Sequence, residues 1–177
     1  MTPSPPGESS GPTCILNGHS VHVQEAQAHL TRISGEFGVE TRVIVTKRGD
    51  DISSLAARAA SENRRPVVAG GGDGTVNAVA GKLVGTDTAL GVLPMGTLNH
   101  FAKDAGIPRN LEAAVRNIFT GHVVNVDVGE VNGRAAFGSY RKPKKSPVSI
   151  DRDILATYPL FLLNKGCPRG CQLLLLL

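Results

Sequence analysis

The chain has 177 residues, of which 41% are apolar, 19% charged and none Trp. This is the composition of one globular domain whose core rests on Val, Leu, Ala and Ile, and it excludes a disordered chain. The formal charge of +4 is unevenly placed: residues 1–133 hold 11 basic and 13 acidic residues, whereas residues 134–177 hold 8 and 2. The basic character belongs to the far end of the chain, where it reads as a solvated tail rather than a nucleic-acid contact.

Residues 1–12 (MTPSPPGESSGP) have neither a basic n-region nor an apolar h-region. They are expected to form a disordered Pro/Gly/Ser leader, not a secretory signal. No apolar run approaches the ~20 residues of a membrane span. Cys14, Cys167 and Cys171 make no disulfide framework, which points to a cytoplasmic protein.

Thr13–Leu16 is predicted to be a short buried strand. His22–Glu36 follows with Val23, Ala26, Leu30, Ile33 and Phe37 at helical spacing, stopped by Gly38. Val39–Thr46 alternates and is β-branched, so it reads as a strand. Asp51–Glu62 places Ile52, Leu55, Ala56 and Ala59 on one helical face, with Asp50 or Asp51 as cap. Pro66–Ala69 reads as a strand, Thr75–Leu83 as a helix and Ala89–Leu93 as a strand. Asn110–Thr120 reads as a helix ended by Gly121, and Val123–Val131 as a strand entering an Asn132-Gly133 hairpin turn. Strand and helix alternate, which predicts an α/β fold: a largely parallel sheet flanked by helices. Ligands of such sheets bind beyond the carboxyl ends of the strands. Gly70–Gly74 and Pro94–Thr97 fall at two such ends.

The stretch Val67–Asn77 (VVAGGGDGTVN) sets Gly70, Gly71, Gly72 and Gly74 around Asp73. So much glycine costs conformational entropy on folding. Without side chains, backbone N–H groups can approach a phosphate at the start of the next helix. Asp73 would repel a polyphosphate unless a magnesium ion, a ribose hydroxyl or a proton transfer makes use of it. Thr75 and Asn77 can cap the helix or reach the ligand. Gly72 is expected to come close to phosphate, and a positive φ is open to it. The competing reading is a tight strand–helix turn with Asp73 as a helix cap. The pattern is neither G-x-G-x-x-G nor a P-loop.

GGGDGTVN, followed some twenty residues on by GVLPMGTLNHFAKDAGIP, with ILNG in the first strand and VTKRGDD before the second helix, resembles the catalytic domain of diacylglycerol-kinase-like lipid kinases of the bacterial type. The resemblance runs over residues 13–137, and this family is related to NAD kinases. It implies a nucleotide-binding domain of the NAD kinase/diacylglycerol kinase type that uses ATP and Mg2+ to phosphorylate a hydroxyl of diacylglycerol or a similar lipid at a membrane surface. By the same resemblance the nucleotide residues are Asn17, Thr46, Gly71, Gly72, Asp73, Gly74, Thr75, Asn77, Gly96, Thr97 and Asn99, with Asp73 as the catalytic carboxylate. No residue is assigned to the metal, and a homodimer is compatible with the sequence.

The chain departs from the family in three places. Ala78 stands where the family has Glu, and His100 where it has Asp. The family-like text also stops near Phe137, where a second, mostly β domain would follow. Residues 138–177 are basic and Leu-rich and read as a truncated or out-of-frame end, a genuine short variant being the alternative. His100 reads as a helix-start residue rather than a catalyst, and Lys103 and Asp104 as solvated. Asp127 reads as structural, and Cys167 and Cys171 as incidental. His19, His22 and His29 lack a completing ligand and read as a surface helix face. An NAD kinase-like enzyme and an inactive nucleotide-binding fragment are the competing functional readings.

Overall fold

Short apolar runs such as Val67–Gly71 (VVAGG) cannot bury both faces alone. They do so here in a sheet covered by helices on each side. The computed structural model describes residues 11–62, 65–131, 134–136 and 172–177. The elements are β1 (Thr13–Asn17), α1 (Val23–Phe37), β2 (Arg42–Thr46), α2 (Ile52–Ser61), β3 (Val67–Gly71), α3 (Asp73–Leu83), β4 (Leu90–Pro94), α4 (His100–Asp104), α5 (Leu111–Thr120), β5 (Val123–Asp127), β6 (Gly129–Val131), β7 (Arg134–Ala136) and β8 (Gln172–Leu176). The main sheet has the order β2-β1-β3-β4-β8-β5. Its strands are parallel except β5, which runs antiparallel to β8. β6 and β7 pair as a separate antiparallel hairpin, and the predicted turn residues Asn132 and Gly133 lie outside the described residues.

Period-2 alternation sends the strands' side chains to two cores. Cys14, Leu16, Val68 and Leu93 pack with α1 and α5. Ile15, Val67, Ala69, Leu90 and Val92 pack with α2, α3 and α4. Sheets covered on both faces are built from near-continuous apolar strands, and VVAGG of β3 is buried at every position. Burial pushes the Cys14 thiol far above its ordinary value and keeps it inert.

Two predicted element starts shift by two residues or more. β2 starts at Arg42, not Val39, because Gly38 turns left-handed (φ 64°) and the Val39 N–H closes α1 on the Ser34 carbonyl. α3 starts at Asp73, two residues before the prediction, because β3 passes into it with Gly72 alone as N-cap. The cap of α2 is Asp51, which accepts the Ser53 N–H at 3.0 Å.

The assignment of residues 138–177 to a tail outside the domain needs correction at its far end. Gln172–Leu176 is a strand between β4 and β5, with Leu173, Leu175 and Leu176 buried. A leucine run has no alternation to recognise, yet a strand covered on both faces needs none. Residues 137–171, including the basic segment, Cys167 and Cys171, lie outside the described residues, as do residues 1–10 of the leader. No helix among the described residues is long and apolar enough to cross a membrane.

Between α1 and α5, Arg32 and Arg116 each pair with both Glu36 and Glu112. Phe37 and Phe119 stack beside this ring at 5.3 Å. The Arg32 hydrogen bond holds the Glu112 carboxyl below its ordinary 4.5. A depressed carboxyl stabilises the fold above its unfolded pKa, and that stability is lost as pH falls through the folded value. Melting curves below pH 4.5 should therefore fall less steeply for Glu112→Gln than for the parent. Leu175→Ala, at a side chain 1% exposed, should cost about 2–5 kcal/mol in a urea titration. A neutral result would remove β8 from the core.

Candidate functional site

Parallel register brings the strand ends to one level. Asn17 of β1 pairs with Thr46 of β2, Leu16 with Gly70, and Gly71 of β3 with Pro94 of β4. From adjacent β1 and β3 the chain leaves to opposite faces, into α1 and α3. Such a switch of direction opens a crevice at the carboxyl edge. The crevice here is a cleft of about 520 Å³ lined by Asn17, His19, Ser20, Val21, His22, Gly72, Met95, Gly96 and Thr97.

Four of the predicted site residues, Asn17, Gly72, Gly96 and Thr97, line that cleft. Thr75 stands just behind it, buried, and its hydroxyl accepts the Asn17 amide at 3.4 Å. Asn99 supports it from the other side, accepting the Gly96 N–H at 2.9 Å and donating to the Gly96 carbonyl at 2.6 Å. Asn99 is left-handed (φ 49°), a conformation that Asn tolerates better than most residues. Thr46 is buried at the end of β2, in register with Asn17. Gly71, Gly74 and Asn77 belong to the same strand–helix turn without lining the cleft. Gly74 is exposed, and a Cβ there would meet nothing within 4 Å.

Close approach requires glycine at 96. A Cβ on Gly96 would collide with the Gly72 Cα and lie 2.9 Å from Asn99 Oδ1. Gly72 is not left-handed: its φ of −87° and ψ of −176° are extended, and a Cβ there would meet the Gly96 Cα at an ordinary 3.5 Å, so neither its dihedrals nor its packing demands glycine. No side chain caps the N-terminus of α3. Its first-turn N–H groups are left for a ligand or for water, in the arrangement that binds phosphate elsewhere.

Asp73 does not cap its own helix. Its Oδ2 accepts the His100 N–H at 3.2 Å and its Oδ1 the Phe101 N–H at 3.0 Å, so it caps α4 across the site. Among the described residues no group of three or more His, Cys, Asp or Glu side chains is placed to hold a metal ion. Each oxygen of Asp73 already accepts one N–H group of α4. His100 begins α4 as expected, with Nδ1 3.6 Å from Asp73 Oδ2. His22 and His29 both lean on Glu25, at 3.1 and 3.7 Å, as a surface helix face. His19 and His22 also line the cleft, together with Ser20, Val21 and Met95. Applying the strand-end rule to β1 as well as to β3 and β4 would have found this loop.

The family model for the diacylglycerol kinase catalytic domain matches residues 13–131. The chain belongs to this family. It is 38% identical over 125 residues to "Probable lipid kinase YegS-like" of Klebsiella pneumoniae (strain 342), covering 70% of this chain and 42% of that protein. It is 39% identical over 127 residues to "Probable lipid kinase YegS" of Salmonella arizonae, with the same coverage. The chain thus spans about two-fifths of the length of the curated relatives it matches. A crystal structure of a diacylglycerol kinase from Bacillus anthracis str. Sterne superposes with a TM-score of 0.62 at 24% identity, over 71% of this chain and 44% of that one, a likeness of fold.

Gly96→Ala should distort the cleft and lower the melting temperature, because the new methyl meets backbone. Gly74→Ala should raise stability by about 0.4–1 kcal/mol, because it fills open space in a helical turn. Equal effects in paired thermal scans would refute this account of the two glycines.

Proposed function

We propose that the chain binds ATP with its magnesium and transfers the γ-phosphoryl group to a hydroxyl of diacylglycerol or a similar lipid. The observation that carries the proposal is the pair of glycine loops, Gly70–Gly74 and Met95–Asn99, meeting at an uncapped helix N-terminus in a chain of this family. Phosphoryl transfer is mostly positioning plus neutralisation of charge on oxygens. The N–H groups at the start of α3, bordered by Gly71, Gly72, Gly74 and Thr75, are suited to hold the phosphates. Asn17, Thr46 and Asn77 offer neutral hydrogen-bonding groups near by. Gly96, Thr97 and Asn99 form the opposite wall. Magnesium is read as part of the nucleotide substrate, held mainly by phosphate oxygens. The acceptor lies in a bilayer, so the protein is assigned to the cytoplasm and to a membrane surface. Self-association as a homodimer is part of the same proposal.

NAD kinase-like activity is the less favoured reading, because the matching model and the quoted relatives are lipid kinases in name. The test is twofold. Nucleotide with magnesium at 100 times its Kd should stabilise the full chain by roughly 2.7 kcal/mol. Labelled ATP should then transfer phosphate to diacylglycerol in mixed micelles and not to NAD. Nucleotide stabilisation without transfer to any lipid would make the chain a binding module, and absence of both would refute the proposal.

A further inference from the structure

We infer that Asp73 is a positioning residue: its carboxylate braces α4 and thereby holds the Met95–Asn99 loop against the glycine loop, instead of ligating magnesium. The inference rests on the nucleotide site proposed above.

Three local facts carry it. Asn99 is the N-cap residue of α4 but does not cap it, because both polar atoms of its side chain are bonded to Gly96. The first N–H groups of α4 therefore need an acceptor from elsewhere. Asp73 supplies one oxygen to each of two successive N–H groups, at 3.2 and 3.0 Å. A negative carboxylate at a helix N-terminus is also favoured by the helix dipole.

The geometry links these bonds to the cleft. Asp73 follows Gly72 directly, and the Gly72 backbone touches Gly96. The Met95–Asn99 loop is thus fixed at one end by the Met95 N–H on the Gly71 carbonyl at 3.0 Å, within by Asn99, and at its exit by Asp73 through α4. Releasing the last tie lets Gly96 and Thr97 drift from Gly72. Both walls of the cleft then lose their spacing, whatever the ligand's metal content.

Asn at position 73 offers one acceptor oxygen and turns an NH2 group toward the second N–H, so one of the two bonds is lost. Asp73→Asn in the full chain should weaken binding of ADP with magnesium and of ADP in EDTA by the same factor, about tenfold, in titration calorimetry. Hydrogen exchange at the His100 and Phe101 amides should accelerate in the same variant without ligand. If the Asn variant does not fold, Asp73→Ser, which keeps one short acceptor, is measured in its place. Loss confined to the magnesium-containing titration, with the two amides still protected, would make Asp73 a metal ligand and overturn the inference. Unchanged affinity in both titrations would also overturn it. A parent chain that binds no nucleotide refutes the proposed function, whereas amide protection that does not depend on Asp73 refutes the brace itself.

Discussion

At Gly72 and Gly96 two stretches of backbone meet with no side chain between them, and the candidate site depends on that contact. A methyl group at position 96 would hold the loops apart. The contact is available because β3 and β4 are adjacent, parallel and in register to their last residues, Gly71 opposite Pro94. It is maintained because the Asn99 side chain closes its loop on Gly96 and the Asp73 side chain ties the next helix back to α3. Sheet register, glycine placement and two polar side chains together set the width of one cleft.

The electrostatic logic of this edge is that of neutral dipoles. α3 opens without a side-chain cap, and Asn17 and Thr75 donate and accept without formal charge. The carboxylate in the loop accepts two N–H groups at the start of α4. A polyanion can then approach oriented backbone dipoles with less repulsion than the sequence suggests. The charged side chains that form an extended network lie elsewhere, on the outer faces of α1 and α5, where they bind one helix to the other.

Much of the fold was legible because it is periodic. Leu30 and Ile33 at helical spacing, the β-branched RVIVT, and Gly38 and Gly121 as stops need only nearby residues to be read. The glycine loops were legible as a family motif and as a physical anomaly, since such flexibility is retained where backbone must come close. The role of Asp73 was not legible, because the groups it caps are 27 and 28 residues away. Of α4 only the start at His100 was legible: five residues carry no periodic signal, and its cap comes from another helix. β8 was missed because a leucine run states burial but not partner, and its neighbours are set by topology alone.

The position of β8 has a consequence for how the protein is made. During synthesis β4 and β5 emerge long before residues 172–176, and neither can complete its pairing until that late segment arrives. Two strand edges with unpaired N–H and C=O groups are exposed in the interval, a template for wrong association. Contacts joined across so long a stretch of chain also slow the search for the native pairing. The nascent chain keeps both edges unpaired until Gln172–Leu176 has left the ribosome.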